Sequence, residues 1–122
     1  MTPEQAQARL RLVAVRDFLP DLRAAIDEVD AMTIRFIMGL DEGKKMTELA
    51  GFLAASNLPR RPSDTVAEYG RVQKDARLAL FALAYAEGMS KADIGRAWGI
   101  SRQLATVSVD EALGRADESK RT

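Results

Sequence analysis

The stretch Ser90 to Val109, SKADIGRAWGISRQLATVSV, constrains the fold more than any other part of the chain. Ser90 is a helix-capping residue, and Asp93 stands three positions on to answer it. Ile94, Ala97 and Trp98 then fall at i, i+3 and i+4 and form one apolar face. Gly99 stands where the chain must reverse, a place that suits a left-handed backbone conformation only glycine reaches cheaply. Ile100 plugs the corner and Ser101 caps a second helix, which opens with Arg102 and Gln103. The spacing predicts two short helices around a tight turn at Gly99-Ile100.

The remainder of the chain reads as helix. Thr2-Pro3-Glu4-Gln5 is a start signal, with Thr2 as cap, proline in the first turn and Gln5 three residues after the cap. Pro20 disfavours a helical Leu19, so the first helix is expected to end near Phe18. A second helix is expected from about Pro20 to Leu40, with Asp41-Glu42-Gly43 as its exit, and a third from about Lys44 to Ser56. Asn57-Leu58-Pro59-Arg60-Arg61-Pro62 is the clearest loop, because two prolines three residues apart do not sit inside a helix. Ser63 or Asp64 is the expected cap of the next helix, which runs to about Glu87 with Gly70 as its candidate bend or break. The turn Glu87-Gly88-Met89 leads into the Ser90 stretch, and the last helix is expected to end near Arg115. The expected organisation is all-α: N-terminal helical hairpins over 1–58, a trihelical unit over 63–116, and a polar tail, 117–122, that frays.

In the N-terminal half, Leu12, Val15, Leu19, Leu22, Ile26 and Val29 recur at spacings of three and four, and Met32, Phe36 and Leu40 continue the stripe. A sustained repeat of this kind is what a helix–helix seam needs. Two readings stand side by side: the protein's own core, and a dimer seam through Leu12, Val15, Leu19, Leu22, Ile26, Val29 and Phe36. They are compatible if helices of both subunits share one core. Pro20 favours two antiparallel helices over one long coiled coil.

Composition excludes several classes of function. The chain has 122 residues, with no cysteine and no histidine. That removes disulfides, thiolate metal sites, a cysteine nucleophile, the commonest general base and the commonest metal ligand. The acidic groups Asp27-Glu28-Asp30 and Asp41-Glu42 lack metal-ligand spacing, and Asp41-Glu42-Gly43-Lys44-Lys45 lacks the glycines of a phosphate loop. No enzymatic activity, no metal and no cofactor is expected. No apolar run approaches the ~20 residues of a membrane span and no secretion signal is visible, so the expected location is the cytoplasm, away from membranes. Net charge is zero. Residues 71–122 hold nine basic and seven acidic side chains against nine and eleven in residues 1–70, so the half with the turn is mildly positive.

The Ser90–Val109 stretch resembles the helix-turn-helix of bacterial DNA-binding regulators, in which a short apolar–glycine–apolar turn leads into a Ser-Arg-Gln-type start of the recognition helix. The resemblance covers about twenty residues and implies a module rather than a particular protein. It implies that the second helix lies in the major groove and that the first braces across the backbone. The helix before them, about Lys74 to Glu87, would close a small core, with Ala76, Leu80, Leu83 and Ala84 on Ile94, Trp98 and Ile100. Ile94, Trp98, Gly99 and Ile100 are then the structural heart of the motif. Ser101, Arg102, Gln103, Thr106 and Val107 are the implied base-contacting residues, with Asp110 at a further groove-facing position. Arg102 suits guanine, Gln103 suits adenine, and Thr106 and Val107 suit a thymine methyl. Ser90, Lys91, Arg96 and Arg115 are the implied phosphate contacts, and Arg60 and Arg61 possible accessory ones. Two positions depart from the family pattern: Leu104 sits near the exposed side, where the family is more often polar, and Ala105 takes an inward place that usually carries a larger aliphatic residue.

The implied function is sequence-specific binding of double-stranded DNA by a homodimer, as a transcriptional repressor acting by occlusion. Centromere-type binding in plasmid or phage maintenance uses the same physics. The alternative is a helical protein-interaction module that binds no DNA and docks a partner on Leu104 and Val107.

Overall fold

A long helix opens the structure. The computed structural model describes residues 1–51 and 60–121. Its elements are α1 (Pro3–Asp41), α2 (Met46–Leu49), α3 (Pro62–Ala86), α4 (Lys91–Trp98) and α5 (Arg102–Arg121), with no strand among the described residues. The chain is all-α, as its patterning predicts.

The capping signals act where they are written. Thr2 Oγ1 accepts from the Gln5 amide at 3.1 Å and the Gln5 side chain accepts from the Thr2 amide at 2.9 Å, a reciprocal box that starts α1. The helices α1, α3 and α4 each end at a glycine with positive φ, Gly43, Gly88 and Gly99. At each, the amide after the glycine returns to the carbonyl five residues back: Lys44 to Gly39, Met89 to Ala84, Ile100 to Gly95.

Three boundaries differ from expectation. The break at Phe18 does not occur, and α1 runs unbroken through Pro20. Proline there leaves the Arg16 carbonyl without its helical donor, at a cost of about 3 kcal/mol. The residues on either side are held by packing: Ala25 is buried, Leu22 half-buried, and Phe18 stacks on Tyr69 with ring centroids 6.3 Å apart. The two antiparallel helices expected on either side of Pro20 are therefore one helix. Next, α3 begins at Pro62 rather than after a Ser63 or Asp64 cap, and passes through Gly70 without interruption. Proline suits the first helical position because its missing N–H has no partner to lose, and the Arg61 carbonyl accepts from the Asp64 and Thr65 amides. Finally, α5 continues to Arg121, past the expected end at Arg115 and through most of the segment expected to fray. The third helix expected over 44–56 is represented by α2; its last part, 52–56, the first half of the Asn57–Pro62 loop, 57–59, and Thr122 lie outside the described residues.

The chain packs as two compact units that are not sequential blocks. One comprises residues 1–16 and 71–122, the other residues 17–70. The sequence-based division instead separates 1–58 from 63–116. In the second unit Leu49 is fully buried against the end of α1, where a Cβ on Gly39 would lie inside its side chain. The N-terminal stripe is split. Val15, Leu19, Leu22 and Phe36 are half-buried, whereas Leu12, Ile26 and Val29 are exposed.

The first unit holds the core that positions the Ser90 stretch. Leu78 and Phe81 of α3, Ile94 of α4, and Val109 and Ala112 of α5 form one buried cluster, edged by Ala82, Ala84, Met89, Ile100 and Leu113. Phe81 and Leu78 take the central role expected of Leu80 and Leu83, which are only half-buried.

Candidate nucleic-acid interface

The turn between α4 and α5 is built by local hydrogen bonds. Ser90 Oγ accepts from the Asp93 amide at 3.1 Å, and Asp93 accepts from the Ser90 amide at 3.3 Å, closing a capping box. These bonds favour the Asp93 carboxylate and hold its pKa below the usual 3.8; the nearby Arg96 charge adds to the effect. At the other end Gly99 adopts φ 68° and ψ 29°, a conformation that costs a side-chain-bearing residue about 1–2 kcal/mol. Its amide bonds to the Arg96 carbonyl and that of Ile100 to Gly95 at 2.9 Å. The chain then leaves the turn at Ser101, whose Oγ accepts from the Leu104 amide at 3.1 Å and so caps α5.

A close helix crossing fixes the angle of this pair. Gly95 is buried, and a Cβ placed on it would lie 3.2 Å from the Ile100 carbonyl oxygen and 3.4 Å from Ala105 Cβ. Ala105 is itself fully buried. The small residue at 105 is therefore half of a tight contact whose other half is Gly95, and a larger aliphatic residue has no room there. Gly95 was not singled out by its sequence context; the available signal was a small residue four positions before the turn glycine, on the Ile94 side of the helix.

The opening turns of α5 present one continuous outer surface made by Ser101, Arg102, Gln103, Leu104, Thr106 and Val107. Leu104 is 51% and Val107 62% exposed, so the helix phase inferred from sequence is the observed one. The Thr106 hydroxyl donates to the Arg102 carbonyl at 2.9 Å, which leaves its methyl as the group offered outward. Arg102 and Gln103 are exposed at the N-terminal end. All five expected base-contacting residues are thus brought together.

Ile94 and Ile100 pack in or against the core as expected. Trp98 does so only in part: it is 40% exposed, with its ring edge-on to Phe81 at a centroid distance of 4.9 Å. Phe81 fills the interior, and the indole, last on α4, packs against its ring.

The expected phosphate contacts present a different picture. Lys91 Nζ lies 2.9 Å from Asp110 Oδ1, joining the start of α4 to the middle of α5. That bond and the Asp110 charge raise the Lys91 pKa above 10.5. Arg96 pairs with Asp93. Arg115 reaches Asp75 of α3 at 2.5 Å and Glu111 at 3.4 Å, and Lys74 also meets Glu111, at 3.2 Å. Arg115 lines a separate cleft of about 430 Å³ with Gln7, Arg11, Asp75 and Ala112, away from the Ser101–Val107 surface. Arg60 and Arg61 are exposed just ahead of α3, in the other unit. Among the described residues no group of acidic side chains is arranged to hold a metal, and no helix is long and apolar enough to cross a membrane. Compared with known proteins, the chain matches no family model, no curated sequence and no solved structure.

Proposed function

We propose that the protein binds double-stranded DNA sequence-specifically, with the first turns of α5 in the major groove. The observation that carries this reading is the α4–Gly99–α5 unit. Its capped helices cross at the Gly95–Ala105 contact and leave Arg102, Gln103, Thr106 and Val107 on one outer side. A helix end so held offers a fork for guanine, an amide for adenine and methyl groups for thymine. One such helix reads only a few base pairs. Specific binding therefore calls for two copies with their α5 helices about 34 Å apart on one face of the duplex. Bound at a promoter, such a dimer represses by occlusion; at a centromere-like array it organises a plasmid or phage segment.

Selection from random duplex DNA tests this reading. The expected result is an enriched, two-fold symmetric site containing a guanine that depends on Arg102. Arg102→Ala should cost about 1–3 kcal/mol and relax preference at that base pair while the helical content stays unchanged. Absence of any enriched sequence at low salt refutes the reading.

A second reading draws on a specific observation. Lys91, Arg96 and Arg115 are each neutralised by a carboxylate, the net charge is zero, and Leu104 with Val107 leaves an apolar patch on the first turns of α5. These features suit a surface that docks another protein. Binding of a protein partner that is lost in Val107→Asp, together with failure of the DNA selection, would support it.

A further inference from the structure

We propose that the second half of α1 is a self-association surface, on which a second copy of the chain packs antiparallel about Thr33. The observation lies in the 17–70 unit and stands independently of DNA binding.

At 3.6 residues per turn, Ile26, Val29, Thr33, Ile37 and Leu40 fall within about 80° of one another on α1. All five are exposed, Ile26 at 55% and Leu40 at 57%. The one polar member is masked, because the Thr33 hydroxyl donates to the Val29 carbonyl at 2.7 Å and turns its methyl into part of the stripe. Ile34 and Met38 are also exposed but point about 100° and 140° away from Thr33, outside the stripe. Scattered apolar residues on a surface are ordinary, but a contiguous stripe of this kind is not. The five stripe side chains offer on the order of 400 Å² per copy, about half of the ~800 Å² each partner contributes to a stable interface, and rim residues on both edges add to it.

Charge selects the occupant and its direction. Arg23, Asp30 and Asp41 lie along one edge of the stripe, and Ala25, Met32 and Phe36 along the other. Antiparallel helices meet like edge to like edge. With Thr33 near the two-fold axis, Ile26 faces Leu40 of the second copy, Val29 faces Ile37, and Arg23 comes alongside Asp41; symmetry makes each pair twice. Parallel helices would set the charged edge against the apolar one, where no charge answers. The stripe is therefore complementary to itself in one orientation, which identifies a second copy as the partner.

The chain contains no cysteine, so engineered thiols report the geometry directly. Full-length Thr33→Cys should cross-link to itself on mild oxidation. Ile26→Cys should cross-link efficiently only when mixed with Leu40→Cys. Analytical ultracentrifugation of the unmodified chain should show a dimer at micromolar concentration, and Ile37→Glu should weaken it at least tenfold with helical content retained. Arg23→Asp should weaken the dimer several-fold, and adding Asp41→Arg should restore it. A monomer at these concentrations overturns the proposal, as does a dimer insensitive to Ile37→Glu. Efficient Ile26–Ile26 cross-linking overturns the antiparallel direction. Because none of these measurements uses DNA, their failure is distinct from failure of the DNA selection.

Discussion

Enlarging Gly95 probes the contact on which the α4–α5 geometry rests. A Cβ at this position would stand 3.2 Å from the Ile100 carbonyl oxygen, 3.4 Å from Ala105 Cβ and 3.5 Å from the Ser101 carbonyl oxygen. Two of the three neighbours are backbone atoms in the turn, and they cannot rotate aside as a flexible side chain would. In Gly95→Ala the helix gains about 0.8–1 kcal/mol of propensity, offset by a shift of a few tenths of an ångström at the crossing. The expected net change is within about 1 kcal/mol. Gly95→Val adds two further carbons in a stiff, β-branched arrangement, and overpacking at such a site costs about 1–3 kcal/mol while forcing the helices apart. The contact is mutual, so Ala105→Gly should recover part of the valine variant's loss, giving a coupling energy of about 0.5 kcal/mol or more in a double-mutant cycle. Urea denaturation followed by Trp98 fluorescence measures all four proteins, since the single tryptophan packs on Phe81 of the same core. A Gly95→Val protein as stable as the parent, or additive behaviour in the cycle, would refute the close crossing.

Two further predictions concern the charges around the turn. Asp110→Asn removes a carboxylate from the α5 surface and releases Lys91; on the proposed DNA-binding reading, affinity for duplex DNA at low salt should rise and its salt dependence steepen by about one to two counterions in filter binding. The exposed Lys91–Asp110 pair should affect the urea midpoint little. Because the Asp93 pKa is lowered in the folded state, the capping box stabilises fully above the unfolded-state value near 3.8 and is lost as pH falls through the folded value. The urea midpoint should therefore fall on acidification below about pH 4, and Asp93→Asn should flatten that part of the profile. The Lys91 pKa is raised, so its contribution is complete below 10.5 and is lost only as pH climbs through the higher folded value. A pH profile unchanged by Asp93→Asn would count against the box.

The sequence by itself determined whatever depends on neighbours within one helical turn. Thr2 with Gln5, Ser90 with Asp93, and Ser101 with Leu104 act at separations of three residues, and Gly99 needs only its own dihedral angles. The outward phase of Arg102, Gln103, Leu104 and Val107 follows from the same local geometry, so the candidate surface was legible before the fold was seen. Only the tertiary structure decided the rest. Continuity of α1 through Pro20 sets a local cost of about 3 kcal/mol against packing on either side, a balance that local propensity cannot weigh. The depth of Trp98 depends on Phe81, seventeen positions earlier in the chain. Lys91 finds Asp110 and Arg115 finds Asp75 across nineteen and forty residues, so cations that read as free in the sequence are paired in the fold. The N-terminal stripe divides into half-buried and exposed positions for the same reason: periodicity places side chains on a face, and only the packing of the other helices decides which part of that face is covered.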